Sequence, residues 1–399
     1  MENHKKVSRR ILILTTIAMA VTFTAWASLS PLISHFEKLY GLSSTEKSIL
    51  VALPVLLGAI LRIPLGILTD RFGGRRVFTV LLLISTIPLV GISLANTFPS
   101  LLLWALLLGI PGTSFAASVT FVSKWTAKEK QGTALGINAT GNIGTAVAGF
   151  LLPTLAVLLG LQATFLLLII PMVVMAILIW SFTPDSPEFG EKKSLFSALS
   201  ILKYKNSWIL SLFYFVTFGA FVAFGIYLPT LLMDLFQLNA VDAGLRSAGF
   251  IVLATLIRPL GGYLGDKIGA GTVLTFVFSG ISLGGLAIGF GMHNIVVMTV
   301  ACMLVAASAG VGNGAVFKLV PQLFPVNTGA VTGVVGAAGG LGGFFPPIFL
   351  GIIKDTFGTY LLGFLLLSTL ALICLIFNKR HFDQQENVAI RRQQQLDVN

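Results

Sequence analysis

Along the chain, polar and charged residues gather in short clusters that separate apolar runs. Most runs are roughly 20 residues long, the length a helix needs to cross a ~30 Å hydrocarbon layer. They fall at about 11–33, 47–69, 77–96, 100–123, 131–158 and 161–182. After a polar stretch from Thr183 to Asn206, six more follow at about 207–235, 242–265, 271–291, 294–317, 329–353 and 358–378. The pattern predicts an all-α membrane protein with twelve transmembrane helices arranged as two sixes. Its expected organisation is an N-terminal half at 1–182, a cytoplasmic linker at 183–206, a C-terminal half at 207–378 and a cytoplasmic tail at 379–399. The first run follows Lys5, Lys6, Arg9 and Arg10, as a secretory signal would, yet it is too long for one and lacks a convincing cleavage site. It is read as a retained span.

Composition supports the bilayer as solvent. Of 399 residues, 55% are hydrophobic and 10% charged, whereas soluble domains carry about 25% charged residues. The net charge of +11 would suggest nucleic-acid binding on a soluble protein; here its distribution reports sidedness instead. Lys38, Lys47, Arg246 and Lys354 fall on one side, Arg62 and Arg258 fall inside helices, and the other Lys and Arg lie on the side of the termini and the linker. That side is therefore expected to be cytoplasmic. No nucleic-acid partner is expected, and a monomer is. Cys302 and Cys374 sit in apolar runs, and no disulfide, metal or cofactor is implied. A loop-borne catalytic cluster is lacking, so an enzyme is disfavoured. The tail beyond Arg380 is polar and Gln-rich, expected to be disordered or to lie on the membrane surface.

The two halves share a motif. At an offset of 196 residues, Arg62, Gly66, Asp70, Arg71 and Gly73 align with Arg258, Gly262, Asp266, Lys267 and Gly269. A parallel repeat of six-helix halves, with substrate bound between them near the midplane, is a known transporter architecture. The stretch Gly66-Ile-Leu-Thr-Asp70-Arg71-Phe-Gly73-Gly74-Arg75-Arg76 resembles the loop signature of the major facilitator superfamily, and Gly262 to Gly269 resembles a degenerate copy. Glycines there would let helices pack closely, and Asp70 and Asp266 would gate by accepting hydrogen bonds from neighbouring helix ends; for the acid and its basic cluster the bland alternative is topology alone.

A narrower resemblance is to the nitrate/nitrite porter family. It rests on Phe115-Ala-Ala-Ser118, on Lys130-Gln-Gly-Thr-Ala-Leu-Gly136-Ile-Asn138 through Gly141-Asn142-Ile-Gly144, on Gly312-Asn313-Gly314, and on Gly336-Ala-Ala-Gly339-Gly340-Leu-Gly342-Gly343-Phe344-Phe345-Pro346. Ala337 and Ala338 depart from the family's glycine pattern. The resemblance implies a carrier of nitrate and nitrite, with Phe115, Tyr214 and Phe218 as aromatic site residues and Asn142 as a polar contact. Gly141, Gly144, Gly339 and Gly340 would serve close helix packing, direct anion contact, or both, and Asn313 is a weaker candidate.

Residue chemistry leads to the same class of substrate. Arg62 lies ~12 Å along a helix from Asp70 at 1.5 Å per residue, which is close to the middle of the hydrocarbon layer, and Arg258 stands in the same relation to Asp266. An arginine there costs at least ~2.5–3.5 kcal/mol and usually faces a cavity and a partner. The alternatives are snorkelling to the cytoplasmic surface or pairing with a carboxylate, but all fifteen acids fall in loops or near helix ends. A guanidinium fork matches a planar oxyanion; formate, bicarbonate, nitrate and nitrite all fit. His4, His35, His293 and His381 map away from helix centres, which favours nitrate/nitrite exchange over proton-coupled nitrate symport; a porter of another small planar anion, such as a monocarboxylate, is the remaining alternative.

Overall fold

Backbone groups in lipid have no water to bond, so a chain that crosses repeatedly through apolar runs satisfies them within helices. The structure, a computed structural model, describes residues 2–126, 131–184, 200–324 and 328–383. Among them are twelve helical spans long and apolar enough to cross a membrane: Lys5–Trp26, Ser44–Gly66, Gly74–Ser93, Phe98–Val122, Ile137–Leu159 and Leu161–Phe182, then Lys205–Phe236, Ala240–Gly265, Ala270–Gly291, Ile295–Val320, Gly333–Phe357 and Leu361–Phe382. No strand occurs among the described residues. Most of the linker and tail, 185–199 and 384–399, lies outside them.

The largest departure from the sequence pattern is in the first span. The helix starts at Glu2 and stops at Trp26, because charged residues at a helix end do not interrupt the hydrogen-bond ladder. Residues 27–32 form turns instead, around Pro31, whose ring removes a backbone donor. A short helix, Ile33–Tyr40, follows and is closed by Gly41 at φ 64.

The chain forms two compact units, Met1–Leu199 with Phe224–Val252, and Ser200–Ala223 with Leu253–Asn399. In the first unit, Ala18, Phe78, Leu82, Ala117, Ala176 and Ile179 form a buried apolar cluster among the first, third, fourth and sixth spans. Because lipid tails are as apolar as leucine, cohesion between spans depends on close packing and interhelical hydrogen bonds. Both are present. The hydroxyls of Thr22 and Ser114 are 2.7 Å apart, Ser118 and Asn138 pair at 2.9 and 2.6 Å, and the Thr24 hydroxyl donates to the Gly144 carbonyl at 3.0 Å.

This unit also holds the far end of the seventh span. Lys47, at the start of the second span and 4% exposed, donates to Glu37 and to Asp234, each at 3.0 Å. Ser48 meets the Tyr227 hydroxyl at 3.2 Å, and the Ser30 hydroxyl donates to the Ile226 carbonyl. In the second unit, Asn378 donates to the Gly271 carbonyl at 2.7 Å and the hydroxyls of Ser282 and Ser368 are 2.8 Å apart.

The repeat is visible in backbone conformation. Gly73 and Gly269, 196 residues apart, close their spans and open the next at φ 90 and φ 86, a region that strains residues with a Cβ. Close helix approach is placed differently from the expectation for Gly66 and Gly262. A Cβ at either would have no described neighbour within 4 Å. Contact occurs instead one residue earlier, where a methyl on Gly261 would overlap the Val311 carbonyl, and at Gly109, whose Cβ would lie 2.6 Å from the Pro54 carbonyl oxygen.

Candidate functional site

In the first unit, Arg62 sits in the helix Ser44–Phe72 between Ile60 and Pro64. Pro64 has no N–H to give the Ile60 carbonyl, so the ladder is interrupted beside the arginine. Arg62 is 7% exposed, and its guanidinium carbon lies 5.6 Å from the Phe115 ring centroid. Such a contact contributes about 0.5–2 kcal/mol.

Asn142 lies in the 3₁₀ turn Thr140–Ile143 that interrupts the fifth span. Its Nδ2 donates to the Ala139 carbonyl at 2.7 Å, while its Oδ1 is buried with no hydrogen bond. Tightened turns inside a helix often mark functional positions. The flanking glycines pack on the first span. A Cβ at Gly141 would lie 2.9 Å from Met19 Cβ, and one at Gly144 would overlap the Ala20 carbonyl.

In the second unit, Arg258 begins the helix Arg258–Ile268, with Pro259 in its first turn and a break at Ile257 after the helix Ala240–Leu256. Pro259 has no N–H to give the Thr255 carbonyl, so the ladder is interrupted there. Tyr214 and Phe218, one helical turn apart, stack with ring centroids 4.9 Å apart and planes 8° from parallel. Arg258 lies 5.5 Å from the Phe218 ring and 4.4 Å from the Phe221 ring. Phe317 meets Tyr214 edge-on at 4.8 Å. Gly339 backs this stack, since a methyl there would overlap the Tyr214 ring and sit 3.1 Å from Phe218 Cβ. Gly340 is buried beside it in sequence.

The hydrogen-bond accounting at Arg258 is unusual. Its Nε and Nη2 are both buried without a partner. These two donors lie on one edge of the guanidinium and point in parallel, so they form a fork that two oxygens of a planar anion can fill. Buried donors left unmade cost ~1–3 kcal/mol each, more when charged. An apolar, aromatic-walled fork of this kind suits a small planar anion, and among the described residues no group of acids, histidines or cysteines is disposed to hold a metal.

The structure thus gathers Arg62 with Phe115 in one unit, and Arg258 with Phe218 and, through it, Tyr214 in the other. Asp70 and Asp266 lie in helices, but their side chains fall outside the described residues. Phe221 and Phe317 join the second cluster without having been singled out from sequence. Spacing could have found Phe221, three residues after Phe218 and on the same helical face; nothing local marks Phe317.

The family model of the Major Facilitator Superfamily matches residues 15–347 and 210–395. The chain is 43% identical over 367 residues to a "Nitrite extrusion protein" of Bacillus subtilis, covering 91% of this chain and 92% of that one. It is 40% identical over 381 residues to a "Probable nitrate transporter NarT" of Staphylococcus epidermidis, covering 95% and 97%. Among solved structures it is similar to the xylose transporter XylE of E. coli in a partially occluded inward open conformation, with a TM-score of 0.73 at 16% identity, covering 94% of this chain and 98% of that one. It is also similar to a bacterial homologue of the lysosomal transporter Spinster, with a TM-score of 0.70 at 17% identity over 93% and 96%. These structural likenesses show the fold.

Proposed function

Because this chain belongs to the Major Facilitator Superfamily and, within it, to the nitrate/nitrite porter family, we propose that this multi-pass membrane transporter, which is not an enzyme, carries nitrate and nitrite by alternating access. The observation that carries the reading is the guanidinium edge of Arg258, with Nε and Nη2 buried and unbonded against aromatic rings. A nitrogen oxyanion presents two coplanar oxygens to such a fork, and the rings of Tyr214 and Phe218 give its flat face an apolar wall that excludes water. In the first unit, Arg62 over Phe115 and the neutral carboxamide of Asn142 are the corresponding substrate-binding groups. Glycines 141, 144 and 339 act by close packing that holds these groups, and Asp70 and Asp266 act in gating.

The mode is exchange of nitrate against nitrite. Proton-coupled carriers commonly place an Asp, Glu or His relay inside the membrane, whereas His35 lies on the short helix between the first two spans and His293 between the ninth and tenth. Both termini face the cytoplasm, and the monomer is the working unit. Counterflow into proteoliposomes tests the reading: labelled nitrate should enter when nitrite or nitrate is loaded inside, whether or not a proton gradient is imposed. Absence of any nitrate or nitrite flux overturns the substrate. Uptake that follows the proton gradient and ignores internal anion overturns exchange in favour of symport, and flux of formate in place of nitrate identifies a monocarboxylate porter.

A further inference from the structure

Among the described residues, only Arg258 and Asn313 each leave two buried side-chain nitrogen or oxygen atoms without a hydrogen bond, Nε and Nη2 in one and Nδ2 and Oδ1 in the other. Asn313 is 3% exposed in the tenth span. Isolated orphan hydroxyls occur elsewhere, but a whole carboxamide stripped of partners inside a membrane helix is a larger cost, since each buried polar group seeks a bond that lipid cannot give.

The two doubly orphaned residues lie on touching helices. A methyl on Gly314 would overlap the Arg258 carbonyl, and one on Gly310 would overlap the Ala254 carbonyl, so the tenth span runs against the segment that carries Arg258. A methyl on Gly312 would come within 2.7 Å of Thr217 Cγ2 on the seventh span. Asn313 and Phe317 are one turn apart on the same face, and Phe317 packs edge-on against Tyr214. Asn313 therefore lies between the Tyr214 and Thr217 contacts, next to the Arg258 helix. The Thr217 hydroxyl is itself buried and unbonded.

We propose that Asn313 is an anion-binding residue of the C-terminal half. Its carboxamide N–H donates to an oxygen of the bound anion, which the Arg258 fork holds by its other oxygens. A carboxamide fits this task because it supplies a neutral donor to the anion without adding charge next to an arginine. This assignment rests on the anion-carrier reading above and extends it to a third element, the tenth span.

The test uses the purified full chain and potassium nitrate, with affinity from calorimetric titration and stability from thermal unfolding without anion. Wild-type protein is measured first; if it binds neither nitrate nor nitrite, the carrier reading itself fails. Given wild-type binding, Asn313→Ala should weaken nitrate roughly tenfold to a hundredfold, the span expected for a lost hydrogen bond to a charged group, while its anion-free unfolding temperature stays equal or rises. A structural asparagine behaves in the opposite way. Unchanged affinity in Asn313→Ala, or a fall in anion-free stability that accompanies the affinity loss, overturns the proposal. Asn313→Asp keeps the shape and replaces the donor with a negative acceptor, so it should abolish nitrate binding, and nitrate binding at wild-type strength in that variant also overturns the assignment.

Discussion

Buried Lys47 and half-buried Arg258 are treated in opposite ways. Lys47 is closed by the protein's own carboxylates, Glu37 and Asp234, each at 3.0 Å. Arg258 is walled by Phe218 and Phe221 and retains a buried, unbonded donor edge. A charge removed from solvent is stable only when something neutralises it. Where the chain supplies the counter-charge, the cation is structural; where aromatic faces stand in its place, the proposed function has an anion supply it. On that reading the difference separates a strut from a binding site.

Breaking the strut should produce the largest effect. Asp234→Ala strands Lys47 with one partner, Glu37, whose side chain is 43% exposed. Removing one member of a buried pair typically costs 3–5 kcal/mol, and because Glu37 remains, a loss of about 3 kcal/mol is expected. Thermal unfolding of the purified variant measures it, and a change under about 0.5 kcal/mol would show that the pair is a surface-like contact. Nitrate affinity should change far less than stability, because the pair's role is structural.

The same operation on Arg258 should reverse both readouts. Arg258→Met removes the fork and should weaken nitrate about a hundredfold, ~2.8 kcal/mol at 1.4 kcal/mol per factor of ten. Anion-free stability should hold or rise, since two orphan donors disappear, offset in part by lost cation–ring contacts. Arg258→Lys retains charge without the fork and should lose about tenfold. Equal affinity in Arg258→Lys and wild type would mean that charge alone suffices.

Gly339 tests whether the aromatic wall is shaped or merely greasy. A methyl there overlaps the Tyr214 ring and crowds Phe218 Cβ, so Gly339→Ala should tilt the stack at a cost of ~1–2 kcal/mol. A three- to tenfold loss in nitrate affinity follows, smaller than for the arginine, and calorimetric titration reads it. No change would show that ring orientation is irrelevant to binding.

Much of this organisation was legible in the sequence because the bilayer imposes a simple code. Run length marked the spans, and the repeat of Arg62 and Asp70 at Arg258 and Asp266 singled out two arginines that lie within spans. The same repeat placed Gly73 and Gly269, which adopt matching left-handed φ. Less legible was anything that depends on which faces of different spans meet. Lys47 read as one of four basic residues on the far side; its partners lie 10 residues before it and 187 after it, a pairing no local pattern encodes. Phe317 reaches Tyr214 from a different span, and the orphaned state of Asn313 depends on what surrounds it in three dimensions. The early stop of the first span at Trp26 was hidden because residues 27–33 satisfy a hydropathy criterion whether they continue the helix or turn.

The comparison has a titratable counterpart in His35, where a basic group is left without either solution. It lies outside the spans on the helix Ile33–Tyr40, and its Nδ1 is buried with no hydrogen bond. Burial, and then the positive charge of Lys38, hold its pKa below the ordinary 6.5. The sign follows directly: as pH falls through about 6.5, the unfolded chain takes up a proton that the folded protein refuses, so the contribution of His35 is fully present above that value and is lost on acidification. His35→Leu keeps a comparable volume and cannot titrate, so its unfolding temperature should fall less than the wild type's between pH 7.5 and pH 5. Subtracting the two curves cancels the carboxylates that titrate in both proteins. The residual slope should be the smallest of these effects, because the side chain is only partly buried. Superimposable pH profiles would show that His35 accepts its proton as readily folded as unfolded, and that an orphaned ring nitrogen near a lysine is tolerated where an orphaned guanidinium edge calls for an anion.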